Sequence, residues 1–163
     1  MSISDRDRLD GRRALVTGGS KGSGKAVAER LREMGADVYV TARTMPDGYE
    51  HPDRFIEADI LTAEGTDAVA ARIAESGALD ILVHVVGGAS TPSGGFAVIT
   101  DDQWLTELNL NFLGAVRLDR ALLPAMIGAG SGVVLHFTSI QRELPLYDAS
   151  LAYAAAKAAL RTY

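Results

Sequence analysis

The sequence of 163 residues contains no cysteine, no long apolar run and no excess of positive charge. Without cysteine the chain can form neither disulfides nor thiolate-based catalytic and metal sites, and a reducing compartment is allowed rather than required. Its 16 basic residues against 21 acidic ones give a net charge of −5, which argues against nucleic acid or an anionic membrane as the main partner. A small molecule is the expected partner.

The amino terminus lacks the features of a targeting segment. Residues 1–13 carry many charges and no apolar core, so they do not resemble a signal peptide. No apolar run approaches the roughly 20 residues of a membrane-spanning helix, so no membrane partner is expected and the cytoplasm is the default location. We predict a solvated N-terminal arm over residues 1–11 and one domain over residues 12–163.

Short apolar runs alternate with longer amphipathic segments along the chain. The apolar runs predict strands near residues 13–17, 37–41, 54–58, 80–86 and 132–139. The amphipathic segments predict helices near 22–34, 62–76 and 100–127, the last opened by a Thr-x-x-Gln capping box, and an Ala-rich helix from Leu151 onward. This alternation predicts an α/β fold with a doubly wound parallel sheet of the Rossmann type, whose ligands bind at the carboxyl ends of the strands.

The stretch TGGSKGSG, residues 17–24, lies between the first predicted strand and the first predicted helix. Gly18, Gly22 and Gly24 let the backbone turn sharply and approach a pyrophosphate that faces the helix N-terminus. A glycine-rich turn without a ligand is the alternative interpretation. The position at the start of an alternating fold favours the phosphate loop.

Tyr153 and Lys157 are four residues apart, so a helix places them on one face. Reduction of a ketone by a nicotinamide needs a proton at the carbonyl oxygen as well as a hydride at carbon. Tyr153 is suited to donate that proton, because the ammonium of Lys157 favours the phenolate that remains. A half-buried packing tyrosine and a solvated lysine are the alternatives.

These features, in this order, resemble the classical short-chain dehydrogenases/reductases. The resemblance covers residues 12–163 and rests on the glycine loop, Asp59-Ile60 after the third strand, Asn111 seven residues beyond Trp104, Ser139 at the end of the fifth strand, and the Tyr153-x-x-x-Lys157 motif. One departure is His84-Val85-Val86-Gly87, where the family usually has Asn-Asn-Ala-Gly. The hydrogen bonding at this strand end is therefore expected to differ.

The resemblance implies a role for each of these residues. The expected catalytic group is Asn111, Ser139, Tyr153 and Lys157. In the family the serine polarises the substrate carbonyl, the lysine also binds the nicotinamide ribose, and the asparagine holds a water that relays protons to the lysine. Cofactor contacts are expected from Thr17, Gly18, Ser20, Lys21, Gly22, Ser23, Gly24, Arg43, Asp59, Ile60, Gly87, Tyr153 and Lys157. The family also implies a homodimer or homotetramer, for which the small-residue face of Ala152, Ala155, Ala156 and Ala159 is suited.

The choice of cofactor is predicted from the end of the second strand. NAD-dependent relatives place an acid there, whereas this chain has Ala42 followed by Arg43. Arg43 and Lys21 are suited to a 2′-phosphate, so NADP(H) is expected and NAD(H) is less favoured. A surface role for Arg43 is the competing interpretation. No metal site is predicted, because His84 and His136 lie in apolar strands without a carboxylate at metal-ligand spacing.

The leading hypothesis is an NADP(H)-dependent carbonyl reductase or alcohol dehydrogenase acting on a small carbonyl or alcohol. A non-catalytic nucleotide-binding fragment or scaffold of the same fold is the alternative. The family continues after the YxxxK helix with a sixth strand, a substrate-covering segment and a seventh strand. We therefore expect this chain to be part of a longer enzyme, to be inactive by itself, and to leave its fifth strand as an exposed apolar edge.

Overall fold

A computed structural model describes residues 7–163 as a parallel sheet with helices on both faces. The strands are β1 (Arg13–Thr17), β2 (Asp37–Ala42), β3 (Phe55–Glu57), β4 (Ile81–His84) and β5 (Val133–His136), and they lie in the order β3-β2-β1-β4-β5. All neighbouring strands are parallel, and the chain reverses its direction across the sheet after β3. The predicted fold class is confirmed, although β4 and β5 are shorter than the apolar runs suggested.

Five α-helices connect or follow these strands. They are α1 (Gly22–Glu33), α2 (Ala63–Ala74), α3 (Asp101–Leu108), α4 (Gly114–Gly128) and α5 (Leu151–Thr162). The predicted capping box is present at the start of α3, where Thr100 Oγ1 accepts from the Gln103 N–H and the Gln103 side chain accepts from the Thr100 N–H. None of the helices within residues 7–163 has the length and apolarity needed to cross a membrane.

The helix predicted over 100–127 is confirmed as a continuous helical segment, with one departure from α-helical geometry that was not predicted. Residues Asn109–Leu113 form a π-helical turn between α3 and α4. Such a turn accommodates one extra residue and is often found at functional sites. Here it contains Asn111, whose side chain is buried.

Apolar side chains form one core on each face of the sheet. One core packs α2 and α4 against the sheet through Leu15, Leu82, Val69, Leu118 and Leu122. The other packs α1 against the opposite face through Val16, Val38, Val40 and Ala28. Full burial of each such Val or Leu stabilises the fold by about 1.5–3 kcal/mol. The two cores hold β1 and β4, which are paired side by side in the sheet.

The prediction for the last strand is confirmed, whereas the prediction for the last helix is wrong for two residues. β5 is the sheet edge of this chain, and Val133 and Leu135 are 51% and 49% exposed, so the expected apolar edge is confirmed. On α5, Ala152 and Ala156 are buried within the chain. The prediction of a free small-residue face is therefore wrong for these two residues, because their own domain already covers them.

The predicted N-terminal arm is described only in part, since residues 1–6 lie outside the described residues. Leu9 packs against the core on the α1 face, and its N–H donates to the Met34 carbonyl at 2.7 Å. Arg12 pairs with Asp80 at 2.7 Å. The backbone from Leu9 is thus attached to the domain, and the boundary at residue 12 stays a prediction.

Candidate active site

The glycine loop joins β1 to α1 at the carboxyl edge of the sheet. Gly18 and Gly22 have φ angles of 67° and 54°, a region that other residues rarely adopt. A Cβ on Gly24 would lie 2.2 Å from the Gly18 carbonyl oxygen, so only glycine lets α1 begin this close to the loop. The side chain of Lys21, the N-cap residue of α1, forms no capping hydrogen bond, so the first N–H groups of the helix are available for the anion contact expected of a phosphate loop.

Thr17 shapes the neighbouring strand end instead of facing open space. Its side chain is fully buried, and Oγ1 accepts from the N–H groups of Val85 and Val86 at 3.1 and 3.4 Å. This pair of hydrogen bonds holds the end of β4 where the family usually has asparagine. The expected difference in hydrogen bonding from the family at residues 84–87 stays a prediction.

The predicted phosphate-binding cations lie in the segments that follow two neighbouring strands. Lys21 precedes α1 and Arg43 follows β2, and both side chains are exposed. β1 and β2 are paired with Thr17 opposite Thr41, so the two cations leave the sheet at the same edge. Ser20 belongs to the same loop as Lys21, and Ser23 lies in the first turn of α1.

Asp59 and Ile60 follow β3, the strand that lies next to β2 at one side of the sheet. Asp59 Oδ1 accepts from the Leu61 N–H at 3.0 Å, which closes the turn before α2. Ile60 is 5% exposed and belongs to the core between the sheet and α2. The structure thus shows Asp59 forming a turn and Ile60 packing beneath it.

Helix α5 brings Tyr153 and Lys157 together, as the four-residue spacing predicts. Lys157 Nζ lies 5.9 Å from the centroid of the Tyr153 ring and donates to the Phe137 carbonyl at 2.8 Å. The lysine side chain is 3% exposed, and burial lowers the pKa of Lys157 because the ammonium loses hydration.

Asn111 and Lys157 meet at Gly87. A Cβ on Gly87 would lie 2.8 Å from Asn111 Oδ1 and 2.9 Å from Lys157 Nζ, so the absence of a side chain is what admits both groups. Beside Asn111 is a cavity of about 10 Å³, which is also lined by Thr17, Ile60 and His84. A cavity of this size has room for about one water molecule.

Ser139 ends the segment that follows β5. It is half-buried and starts the short turn Ile140–Arg142, and its Oγ accepts from the Gln141 N–H at 3.2 Å. Within residues 7–163 no hydrogen bond joins Ser139 to Tyr153 or Lys157. The prediction that Ser139 ends the fifth strand is therefore wrong, because β5 ends at His136 and the serine lies three residues further on, where it forms no hydrogen bond to the pair on α5.

Sequence reasoning missed Glu107, which lies in α3 one turn before Asn111. The side chain is fully buried and accepts from Ser90 N, Ser90 Oγ and Asn111 Nδ2 at 2.6, 2.8 and 2.8 Å. Its only signal in the sequence is the spacing of four residues from Asn111, which puts the two side chains on one helix face.

Asp119 of α4 was also missed, because sequence spacing does not show that it reaches both strand histidines. His84 Nε2 lies 2.8 Å from Oδ1 and His136 Nε2 lies 3.5 Å from Oδ2, and the imidazole rings stack at 4.7 Å with 8° between their planes. An ion binds an imidazole in the plane of its ring, and two stacked rings cannot both satisfy this. The cluster is therefore better suited to hydrogen bonding than to a metal, and the lack of a metal site stays a prediction.

Known proteins match most of the chain. Residues 12–163 match the family described as short chain dehydrogenase. The chain is 32% identical over 158 residues to YvrD, an uncharacterized oxidoreductase of Bacillus subtilis, covering 90% of this chain and 57% of the relative. Galactitol 2-dehydrogenase of Rhizobium johnstonii is 32% identical over 153 residues, covering 86% and 58%.

A solved structure also matches the fold of most of this chain. L-sorbose reductase from Gluconobacter frateurii, solved with NADPH and L-sorbose, superposes with a TM-score of 0.86 and 32% identity. The match covers 95% of this chain and 62% of the reductase. The chain thus spans about three fifths of the length of these relatives.

Proposed function

The chain belongs to the short-chain dehydrogenase family, and we propose that it forms the nucleotide-binding and catalytic core of an NADP(H)-dependent enzyme that interconverts a small carbonyl and its alcohol. The observation that carries this proposal is the meeting of Asn111, Lys157 and Gly87 beside Tyr153. Three separate elements contribute these residues to the edge of the sheet where the glycine loop also lies. The cytoplasm is the proposed location.

The residues present fit a dinucleotide. The glycine loop leaves the N-terminus of α1 open for the pyrophosphate, and Gly87 has no side chain to block the approach to Lys157. When bound, the nicotinamide supplies or accepts the hydride. Ser139, at the end of the segment that follows β5, is proposed to polarise the substrate carbonyl.

Proton transfer is the part of the reaction that the chain itself performs. Tyr153 donates its phenolic proton to the carbonyl oxygen during reduction, and Lys157 favours the phenolate electrostatically from the next helical turn. Asn111 lines a water-sized cavity and also lies with Lys157 against Gly87, and we propose a water-mediated route for returning the proton at this residue.

The substitution Tyr153→Phe tests Tyr153 as the proposed general acid. It is made in a form of the protein that shows turnover. We expect carbonyl reduction to fall by about 10²-fold or more, the usual contribution of a general acid, while NADPH binding persists. Tyr49→Phe, which removes a hydroxyl far from the site, is the matched control. Near-normal turnover of Tyr153→Phe would disprove the assignment. If no form of the unchanged protein shows turnover although it binds NADPH, the result would favour a non-catalytic scaffold.

The preference for NADP(H) is proposed from Lys21 and Arg43. Both are exposed at the edge of the sheet, no acid ends β2, and a solved neighbour contains NADPH. We expect NADPH to bind at least about tenfold more tightly than NADH, which is about 1.4 kcal/mol. Arg43→Asp should reverse this order in titrations of cofactor fluorescence. Equal affinities in the unchanged protein would contradict the proposal.

A homodimer or homotetramer is proposed for the active form. Leu105 on α3 and Ile127 on α4 are 63% and 76% exposed, which leaves apolar surface on the outer side of these helices. Sedimentation of the active protein as a monodisperse monomer would contradict this proposal.

A further inference from the structure

Glu107 is not part of the proposed catalytic group, but its side chain accepts a hydrogen bond from Asn111, which is. Its two carboxylate oxygens accept from Ser90 and Asn111. Within residues 7–163 no lysine, arginine or histidine forms an ion pair with it. A buried carboxylate without a cation is costly, and an apolar side chain of similar volume avoids that cost. The carboxylate therefore contributes something other than stability.

Glu107 and Asn111 form two halves of one clamp on the loop after β4. Asn111 Oδ1 accepts from the Gly88 N–H at 3.0 Å, and Nδ2 donates to the Gly88 carbonyl at 2.8 Å. Glu107 holds Ser90 two residues further on. The residue before the clamp is Gly87, which lies against Asn111 Oδ1 and Lys157 Nζ. A shift of this loop would therefore move the surroundings of the catalytic lysine.

We propose that Glu107 is a positioning residue that fixes the orientation of the Asn111 amide; this inference rests on the proposed function. The two ends of an asparagine amide have similar shapes, so only their partners decide which end points where. A carboxylate accepts hydrogen bonds and donates none, so it holds Nδ2 on its own side. Asn111 Oδ1 is thereby kept facing the Gly88 N–H and the side of Lys157.

Glu107→Gln is the test variant, because it keeps the shape and removes the acceptor-only character. The glutamine side chain has an NH₂ group where the glutamate has an oxygen. This group donates hydrogen bonds and would face another donor, either Asn111 Nδ2 or Ser90. We expect kcat for carbonyl reduction to fall about tenfold or more, with the Kd for NADPH within about threefold. Glu75→Gln makes the same chemical change in an ion pair with Arg72, just after the end of α2, and should leave kcat unchanged.

A double-mutant cycle separates positioning from general damage. If Glu107 acts through Asn111, adding Glu107→Gln to an Asn111→Ala enzyme lowers kcat no further. Losses that multiply would overturn the inference, and so would a Glu107→Gln enzyme with kcat within about threefold of the unchanged protein. If Glu107→Gln does not fold, Ser90→Ala removes one of its donors and should give a smaller loss of kcat; an unchanged kcat would again overturn the inference.

Amide hydrogen exchange tests the clamp without turnover. The N–H groups of Gly88 and Ser90 donate to Asn111 and Glu107, so both should exchange about tenfold faster or more in Glu107→Gln. The N–H groups of Val85 and Val86, held by Thr17, are the internal reference. Unchanged exchange at Ser90 would disprove the clamp, whereas failure of the proposed function would appear separately as normal turnover of Tyr153→Phe.

Discussion

At the scale of single residues, four polar side chains near the carboxyl edge of the sheet are buried. Lys157, Asn111, Glu107 and Asp119 are each at most 3% exposed. Asn111 and Glu107 hold the loop after β4, Lys157 lies next to Gly87 of that loop, and Asp119 contacts both strand histidines. Each group loses hydration on folding, so each depends on a small number of well-placed partners.

At the residue scale, His136 gives a pH-dependent prediction. Burial and the neighbouring His84 lower the pKa of His136 from its ordinary value of 6.5. As the pH falls below 6.5, the unfolded chain therefore takes up this proton before the folded chain does, and stability is lost over that window. We expect His136→Gln to reduce the slope of unfolding free energy against pH between about 6.5 and 5. His51→Gln, at an exposed position, should keep the slope, and an unaltered slope in His136→Gln would contradict the prediction.

At the scale of elements, the close contact between the first turn of α1 and the glycine loop gives a prediction about stability. In Gly24→Ala the new Cβ meets the Gly18 carbonyl and its backbone neighbours, which cannot move as a flexible side chain does. We expect α1 to shift, at a cost of about 1–3 kcal/mol in chemical denaturation, with weaker NADPH binding. Gly128→Ala is the control, because nothing lies within 4 Å of its added Cβ. Equal stability of the two variants would show that the loop adjusts freely.

Elements were predicted better from the sequence than the contacts between them. Strands with continuous apolar runs and the Thr100–Gln103 capping box are local signals, and both were found as expected. The π-helical turn carries no such signal, because its extra residue leaves the pattern helical on either side. The Glu107 and Asp119 contacts depend on how helices pack on strands, which local spacing does not encode.

For the whole molecule, the edge at β5 gives a prediction about association. Val133 and Leu135 expose apolar surface on a strand whose outer backbone groups are unpaired in this sheet, a combination that favours pairing with another chain. We expect the 163-residue chain to self-associate, and Leu135→Lys to reduce this in light scattering. Met45→Lys adds the same charge in a loop away from the edge. If both variants associate equally, the edge strand is not the cause.

The π-helical turn has a consequence for helical phase. Consecutive residues of an α-helix are about 100° apart around its axis, so one extra residue rotates everything after it by about that angle. Helix α3 packs beside α5, whereas α4 packs beside α2, and the turn at Asn109–Leu113 lies where the helix passes from one neighbour to the other. A heptad count carried from Asp101 to Gly128 therefore assigns residues beyond Leu113 to the wrong side, and removing one residue from the turn would rotate the whole of α4 away from its core.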